Sequence, residues 1–169
     1  GAAKYGYEHS VGEDVAYGFL ITAPAGKGKV TRLDADAARA LPGVIDVILD
    51  DPRIPRQAAG FVPAHSGNAE IDHWDQVLGV AVAESFEAAR DAARSVVVTV
   101  EIEDGRYNTM ANIADASGPP KDSRLKDVAM GDIDAAMAEA SVTIDQVYTT
   151  PNQVHAAMEP HASVAAWVD

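Results

Sequence analysis

A chain of 169 residues, 47% hydrophobic and 23% charged, is long enough to bury a core and too apolar for a disordered segment. Its 26 acidic and 13 basic side chains leave a formal net charge of -13, which disfavours nucleic-acid backbones and anionic lipid surfaces as partners. Cysteine is absent, so the chain's own residues offer no disulfide, thiolate zinc ligand, iron–sulfur ligation or thiol nucleophile. No apolar run reaches the roughly eighteen residues that a membrane span needs.

In chain order, Val15–Ala23 is apolar and rich in β-formers, and Lys29–Leu33 follows the turn Pro24-Ala25-Gly26-Lys27-Gly28. This predicts a strand, a tight connection and a second short strand. Asp34 stands before a short helix over Ala35–Leu41, stopped by Pro42-Gly43. Val44–Leu49 is a compact apolar strand. Residues 50–73 read as a loop rich in proline, glycine and polar side chains. Trp74–Ala83 is predicted as a strand, central in its sheet because Val77–Val82 is apolar on both faces. Ser85 caps a helix through Ser95, with Phe86, Ala89, Ala93 and Val96 along one face.

Val98, Val100 and Ile102 then alternate with Thr99, Glu101 and Glu103, the pattern of a half-buried strand. Residues 105–127 are turn-forming and read as a linker or crossover. Asp132 caps a last helix, Ile133–Ala140, and Val142–Tyr148 and Ala162–Val168 are read as the final strands. Alanine-rich helices leading into valine-rich strands, at 34–49, 85–103 and 132–148, indicate mixed α/β layers, an α+β fold in which short alanine-lined helices pack closely on a mixed sheet. The opening Gly1–Tyr5, without methionine, and the closing Trp167-Val168-Asp169 are what a piece of a longer polypeptide is expected to show.

Candidate chemistry is sparse. His155, Glu159 and His161 are close in sequence, but the zinc-protease spacing is absent and Pro160 would break a helix aligning them. A structured loop is the better reading. Gly26-Lys27-Gly28-Lys29 lacks the length and the following helix of a phosphate loop, so a turn with solvated lysines is expected. No serine sits in a Gly-x-Ser-x-Gly elbow. The acid pairs Asp50-Asp51 and Glu101/Glu103 read as solvated charges, and Trp74 and Trp167 as core or interface anchors. These residues alone predict no catalytic, cofactor-binding or metal-binding side chain in the chain.

Several segments nevertheless carry a family likeness. Gly1–Tyr5 has a glycine-x-alanine-x-tyrosine-like opening. Asp34-Ala35-Asp36-Ala37-Ala38-Arg39-Ala40-Leu41-Pro42-Gly43-Val44, Val80-Ala81-Val82-Ala83-Glu84 and Gly131-Asp132-Ile133-Asp134-Ala135-Ala136 follow. Most specific is Tyr148-Thr149-Thr150-Pro151 leading to His155-Ala156-Ala157-Met158-Glu159-Pro160-His161. Together, in this order, they resemble the molybdenum-binding subunits of the xanthine oxidase / aldehyde oxidase family.

The resemblance implies an α/β-hammerhead domain over residues 1–104, the linker at 105–127 and the start of the molybdopterin-binding region at 128–169. It implies a whole enzyme that hydroxylates aldehydes or N-heterocycles with oxygen from water. The implied cofactor is molybdopterin, in its cytosine dinucleotide form, within the full subunit, with none expected on this fragment. The implied partners are the remaining molybdopterin-binding domains and subunits carrying iron–sulfur clusters and FAD.

Two places depart from the family pattern. Ile21-Thr22-Ala23-Pro24-Ala25 replaces its arginine-serine-proline-histidine-alanine, and Asp75-Gln76-Val77 its glycine-glutamine-proline. Both variants resemble the periplasmic aldehyde oxidoreductase branch. The family's glycine-rich cofactor loops do not occur, and Glu13, in Ser10-Val11-Gly12-Glu13, reads as a turn residue rather than the family's catalytic glutamate. Two functions follow: a structural module of a molybdenum hydroxylase, or a free-standing binding or assembly protein on the same fold.

Overall fold

The computed structural model describes residues 2–9, 11–49, 51, 70–118 and 128–167. Contacts divide the chain into two units, the first comprising residues 1–107 with 163–169 and the second residues 108–162.

Among its described residues the first unit holds six strands and two α-helices, preceded by a 3₁₀ turn at Gly6–Glu8. In order these are β1 (Tyr17–Thr22), β2 (Gly28–Asp34), α1 (Asp36–Arg39), β3 (Val44–Leu49), β4 (Glu70–Ile71), β5 (Val77–Ala83), α2 (Phe86–Ser95) and β6 (Val97–Ile102). They form two three-stranded sheets, ordered β1-β5-β3 and β4-β2-β6, and every pairing is antiparallel. β1 and β2 therefore part company at the turn between them and enter different sheets.

β5 is central, as its two-sided apolar run predicts, pairing Tyr17↔Ala83 through Thr22↔Val77 on one side and Val44↔Ala83 through Leu49↔Gly79 on the other. A side chain at Gly79 would meet the Ile48 carbonyl oxygen at 2.5 Å and Leu49 Cδ2 at 2.7 Å. The central strand thus needs a residue without a Cβ at this position.

Helix α2 starts where Ser85 Oγ accepts a hydrogen bond from the Ala88 N–H (3.2 Å), the expected cap. Its buried residues are Ala89, Ala92 and Ala93, so the helix backbone can approach the β1-β5-β3 sheet closely. Phe86 remains half out of the core and meets Phe19 edge-on at 5.7 Å between ring centroids, a favourable aromatic geometry. The short α1 ends at Arg39, and Gly43, with φ +76°, turns the chain into β3. The Gly43 carbonyl then accepts from the Glu84 N–H (2.9 Å), fastening this turn to the end of β5.

Residues from both sheets share one core. Ile21, Val47, Leu78 and Ala81 of the first sheet are buried with Ile71 of the second, and Val30, Leu33, Val98 and Val100 pack against them. The alternation expected of β6 holds for Val98 and Val100, but Ile102, at the strand end, is exposed.

The second unit is described as a 3₁₀ turn at Met110–Asp115 and helix α3 (Ile133–Glu139). Asp132 caps α3 by accepting from the Ala135 N–H (3.0 Å). Residues 119–127 of the expected linker lie outside the described residues.

Four expectations need correction. Trp74 is not in the central strand, which begins at Val77, but in the turn before it, 64% exposed. The loop expected to run to residue 73 contains the short strand β4, whose pairing with β2 comes from tertiary context rather than local pattern. Val142–Tyr148 and Ala162–Trp167 form no strand. An alternating segment becomes a strand only beside a partner that takes its N–H and C=O groups. None pairs with these among the described residues, and every residue from Val128 to Trp167 is exposed.

Replacing Gly79 with alanine should lower the stability of the first unit by about 1–3 kcal/mol, the cost of overpacking. Urea unfolding followed by circular dichroism would measure it. An unchanged midpoint would mean that β3 can move aside.

Candidate functional site

Two places merit attention: the joint where the two sheets meet, and the segment carrying the most specific family signature.

The joint is built on Gln76, the buried polar side chain among the described residues, at 2% exposure. Its Oε1 accepts from the Asp72 N–H (2.8 Å) and its Nε2 donates to the Glu70 carbonyl (2.6 Å). Its own carbonyl accepts from the Ala23 N–H (2.8 Å) just past β1. One residue therefore links β4, in the second sheet, to the end of β1, in the first. A buried amide is tolerated because both ends of it are satisfied.

Beside it, Asp75 has φ +59°, a conformation asparagine and aspartate tolerate better than most residues. Its Oδ1 accepts from Thr22 Oγ1 (3.1 Å). The two stretches that depart from the family pattern thus meet: Thr22 faces Val77 in the β1–β5 register and bonds Asp75. The His73–Gln76 turn (Gln76 N–H to His73 carbonyl, 3.4 Å) presents Trp74 outward.

The signature segment lies in the second unit. From Tyr148 to His161 it is irregular and exposed, with a bend at Met158-Glu159. His155, Glu159 and His161 do not come together as ligands: among the described residues no three histidine, aspartate or glutamate side chains could hold a metal ion. Gly26-Lys27 forms a turn in which Lys27 lies 3.9 Å from Glu103, and Glu13 sits in an exposed bend. These described residues present no assembled donor set for a pterin or a metal, so no chemical step is assigned to them.

Charge is organised at one place in the first unit. Asp34 Oδ1 accepts from the Asp36 N–H (3.0 Å) at the start of α1, and Oδ2 accepts from Arg32 Nη2 (2.7 Å). The backbone hydrogen bond first, and the Arg32 guanidinium second, hold the Asp34 carboxyl below its ordinary value of 3.8. Arg39 closes the other end of α1 by donating to the Val47 carbonyl (2.7 Å).

Two antiparallel sheets sharing a core, with alanine-faced helices on one of them, define an α+β domain. Residues 1–104 match the family described as aldehyde oxidase and xanthine dehydrogenase, a/b hammerhead domain, and residues 117–169 match the molybdopterin cofactor-binding domain. The chain belongs to the aldehyde oxidase and xanthine dehydrogenase family.

It is 40% identical over 169 residues to the aldehyde oxidoreductase molybdenum-binding subunit PaoC of Escherichia coli O157:H7, covering 99% of this chain and 23% of that protein. It is 22% identical over 173 residues to the nicotinate dehydrogenase large molybdopterin subunit of Eubacterium barkeri, covering 98% of this chain and 40% of that one. A crystal structure of the Cu,Mo-CO dehydrogenase in its carbon monoxide reduced state superposes with a TM-score of 0.61 at 21% identity, over 82% of this chain and 20% of that one. That last likeness is one of fold. The chain spans under a quarter of the length of the aldehyde oxidoreductase subunit it matches.

The joint at Gln76 escapes a reading of the sequence because glutamine carries no periodic signal. The available hint is its position immediately before the apolar run Val77–Val82. A Gln76→Leu change would remove the hydrogen bonds to the Asp72 N–H and the Glu70 carbonyl, lowering stability by about 1–3 kcal/mol; a loss below the error of a denaturant titration would contradict the joint.

Asp34 gives a pH signature. Its carboxyl is depressed in the folded state, so its stabilisation is full above the unfolded value near 3.8 and is lost as pH falls through the lower folded value. NMR titration should place the Asp34 midpoint below 3.8, and the stability difference between wild type and Asp34→Asn should shrink on acidification. A midpoint at or above 3.8 would exclude the cap.

Proposed function

We propose that this chain is part of the molybdenum-binding subunit of an aldehyde oxidoreductase-type molybdenum hydroxylase, and that it acts there as a structural module. The observation that carries the reading is its 40% identity, along 99% of its length, to a subunit of that kind. Residues 1–104 form the hammerhead domain, 105–127 the connection, and 128–169 the opening of the molybdopterin-binding region. The family match at 117–169 supports the last of these.

The whole enzyme oxidises aldehydes, taking its oxygen from water at a molybdenum centre. Molybdopterin, in its cytosine dinucleotide form, supplies that chemistry when bound in the complete subunit, and electrons leave through partner subunits holding iron–sulfur clusters and FAD. This chain contributes no catalytic, cofactor-binding or metal-binding side chain. Its work is to brace: the two sheets are locked at Gln76 and the helices close on alanine faces, giving a rigid support for neighbouring domains. Oxidation of an N-heterocycle is the second reading, favoured by the likeness to the nicotinate dehydrogenase subunit along 98% of this chain.

The complete subunit, produced with its partners, should contain molybdenum and reduce a dye with aromatic or aliphatic aldehydes in preference to nicotinate. The 169-residue chain alone should contain no molybdenum by elemental analysis and show no turnover. Metal bound stoichiometrically to the short chain would overturn the assignment of a purely structural role. Preference for nicotinate would move the substrate class to the second reading.

A further inference from the structure

The two sheets have four edge strands: β1 and β3 in one, β4 and β6 in the other. Exposed edges invite pairing with other chains, and proteins commonly guard them with charged side chains. Three of the four are guarded in this way, β3 by Asp46, β4 by Glu70 and β6 by Glu101. β1, with the sequence Tyr17-Gly18-Phe19-Leu20-Ile21-Thr22, carries no charge at all.

Among the described residues β1 pairs with β5 alone, leaving its outer edge open. Leu20 on it is 55% exposed. A groove of about 360 Å³ runs beside this edge, lined by Phe19, Leu20 and Pro24 and, from the α2–β6 junction, by Arg94, Val96 and Val98. Arg94 has no hydrogen-bond or ion-pair partner among the described residues, in a chain whose net charge is -13. An apolar edge with one unanswered cation beside it fits strand addition by an extended, apolar segment that brings a carboxylate.

We infer that the β1 edge is a docking strip for an extended segment of the same molybdenum-binding subunit lying outside these 169 residues, an apolar strand with a carboxylate that meets Arg94. The inference rests on the functional reading above, that the chain is part of a longer subunit. The length relation supports this occupant, since the chain accounts for 23% of the related subunit. A second copy is disfavoured, because two bodies each carrying -13 repel one another and Arg94 would find no strand-borne carboxylate in a β1–β1 pairing.

Hydrogen exchange read by mass spectrometry tests this on the 169-residue chain and on the complete subunit. Amides of Tyr17–Thr22 should exchange at least tenfold more slowly in the complete subunit. Those of Val77–Ala83, central in the sheet, should be slow in both and report that the fold is intact. Arg94→Glu in the complete subunit should speed β1 exchange several-fold, and so should Leu20→Lys, which places a guard on the edge. Equal β1 exchange in the two proteins overturns the inference. So does protection that appears in the short chain as its concentration rises, which would mean a second copy. Protection in the complete subunit that both substitutions leave untouched would also overturn it. Molybdenum content, measured on the same complete subunit, reports separately on the functional reading.

Discussion

The first unit depends on a single buried amide. Gln76 is the place where two small antiparallel sheets are tied by hydrogen bonds to Glu70, Asp72 and Ala23. An apolar residue there would remove the hydrogen bonds to Glu70 and Asp72, a sizeable loss against a small domain's net stability. The shared core of Ile21, Val47, Ile71, Leu78 and Ala81 supplies the hydrophobic driving force but no direction. The amide adds directional hydrogen bonds that link β4 to the end of β1.

The rest of the unit follows from close approach. Gly79 lets β3 pass near the centre of β5, and the alanine face of α2 brings a helix down onto the same sheet. Neither arrangement leaves a cleft in which reacting groups converge. Asp34, for one, is spent on structure, holding the start of α1 and pairing with Arg32. The supporting role proposed for these residues rests on this arrangement.

Much of this architecture was legible in the sequence wherever local pattern and tertiary context agree. The strand Val44–Leu49 and the helix capped by Ser85 fall where their spacing places them, and β5 is central because its apolar run has no polar face. Legibility failed where the deciding partner is distant in sequence. β4 exists because β2 lies beside it, and Trp74 leaves the strand because Asp75 turns the chain. The segment Val142–Tyr148 reads as a strand but has no pairing neighbour among the described residues. The family was legible through ordered motifs, above all Tyr148–His161, whereas the Gln76 joint needed coordinates. No periodicity marks a buried glutamine.

These residues are proposed to brace the enzyme and to take no part in its reaction. The sharpest test is the Gln76→Leu variant in the complete enzyme, measured for thermal inactivation and for aldehyde turnover across pH. A supporting role predicts inactivation at a lower temperature, with kcat and the pH profile unchanged below that temperature. An altered kcat or a shifted pH profile at undiminished thermal stability would place Gln76 in the reaction and contradict the claim.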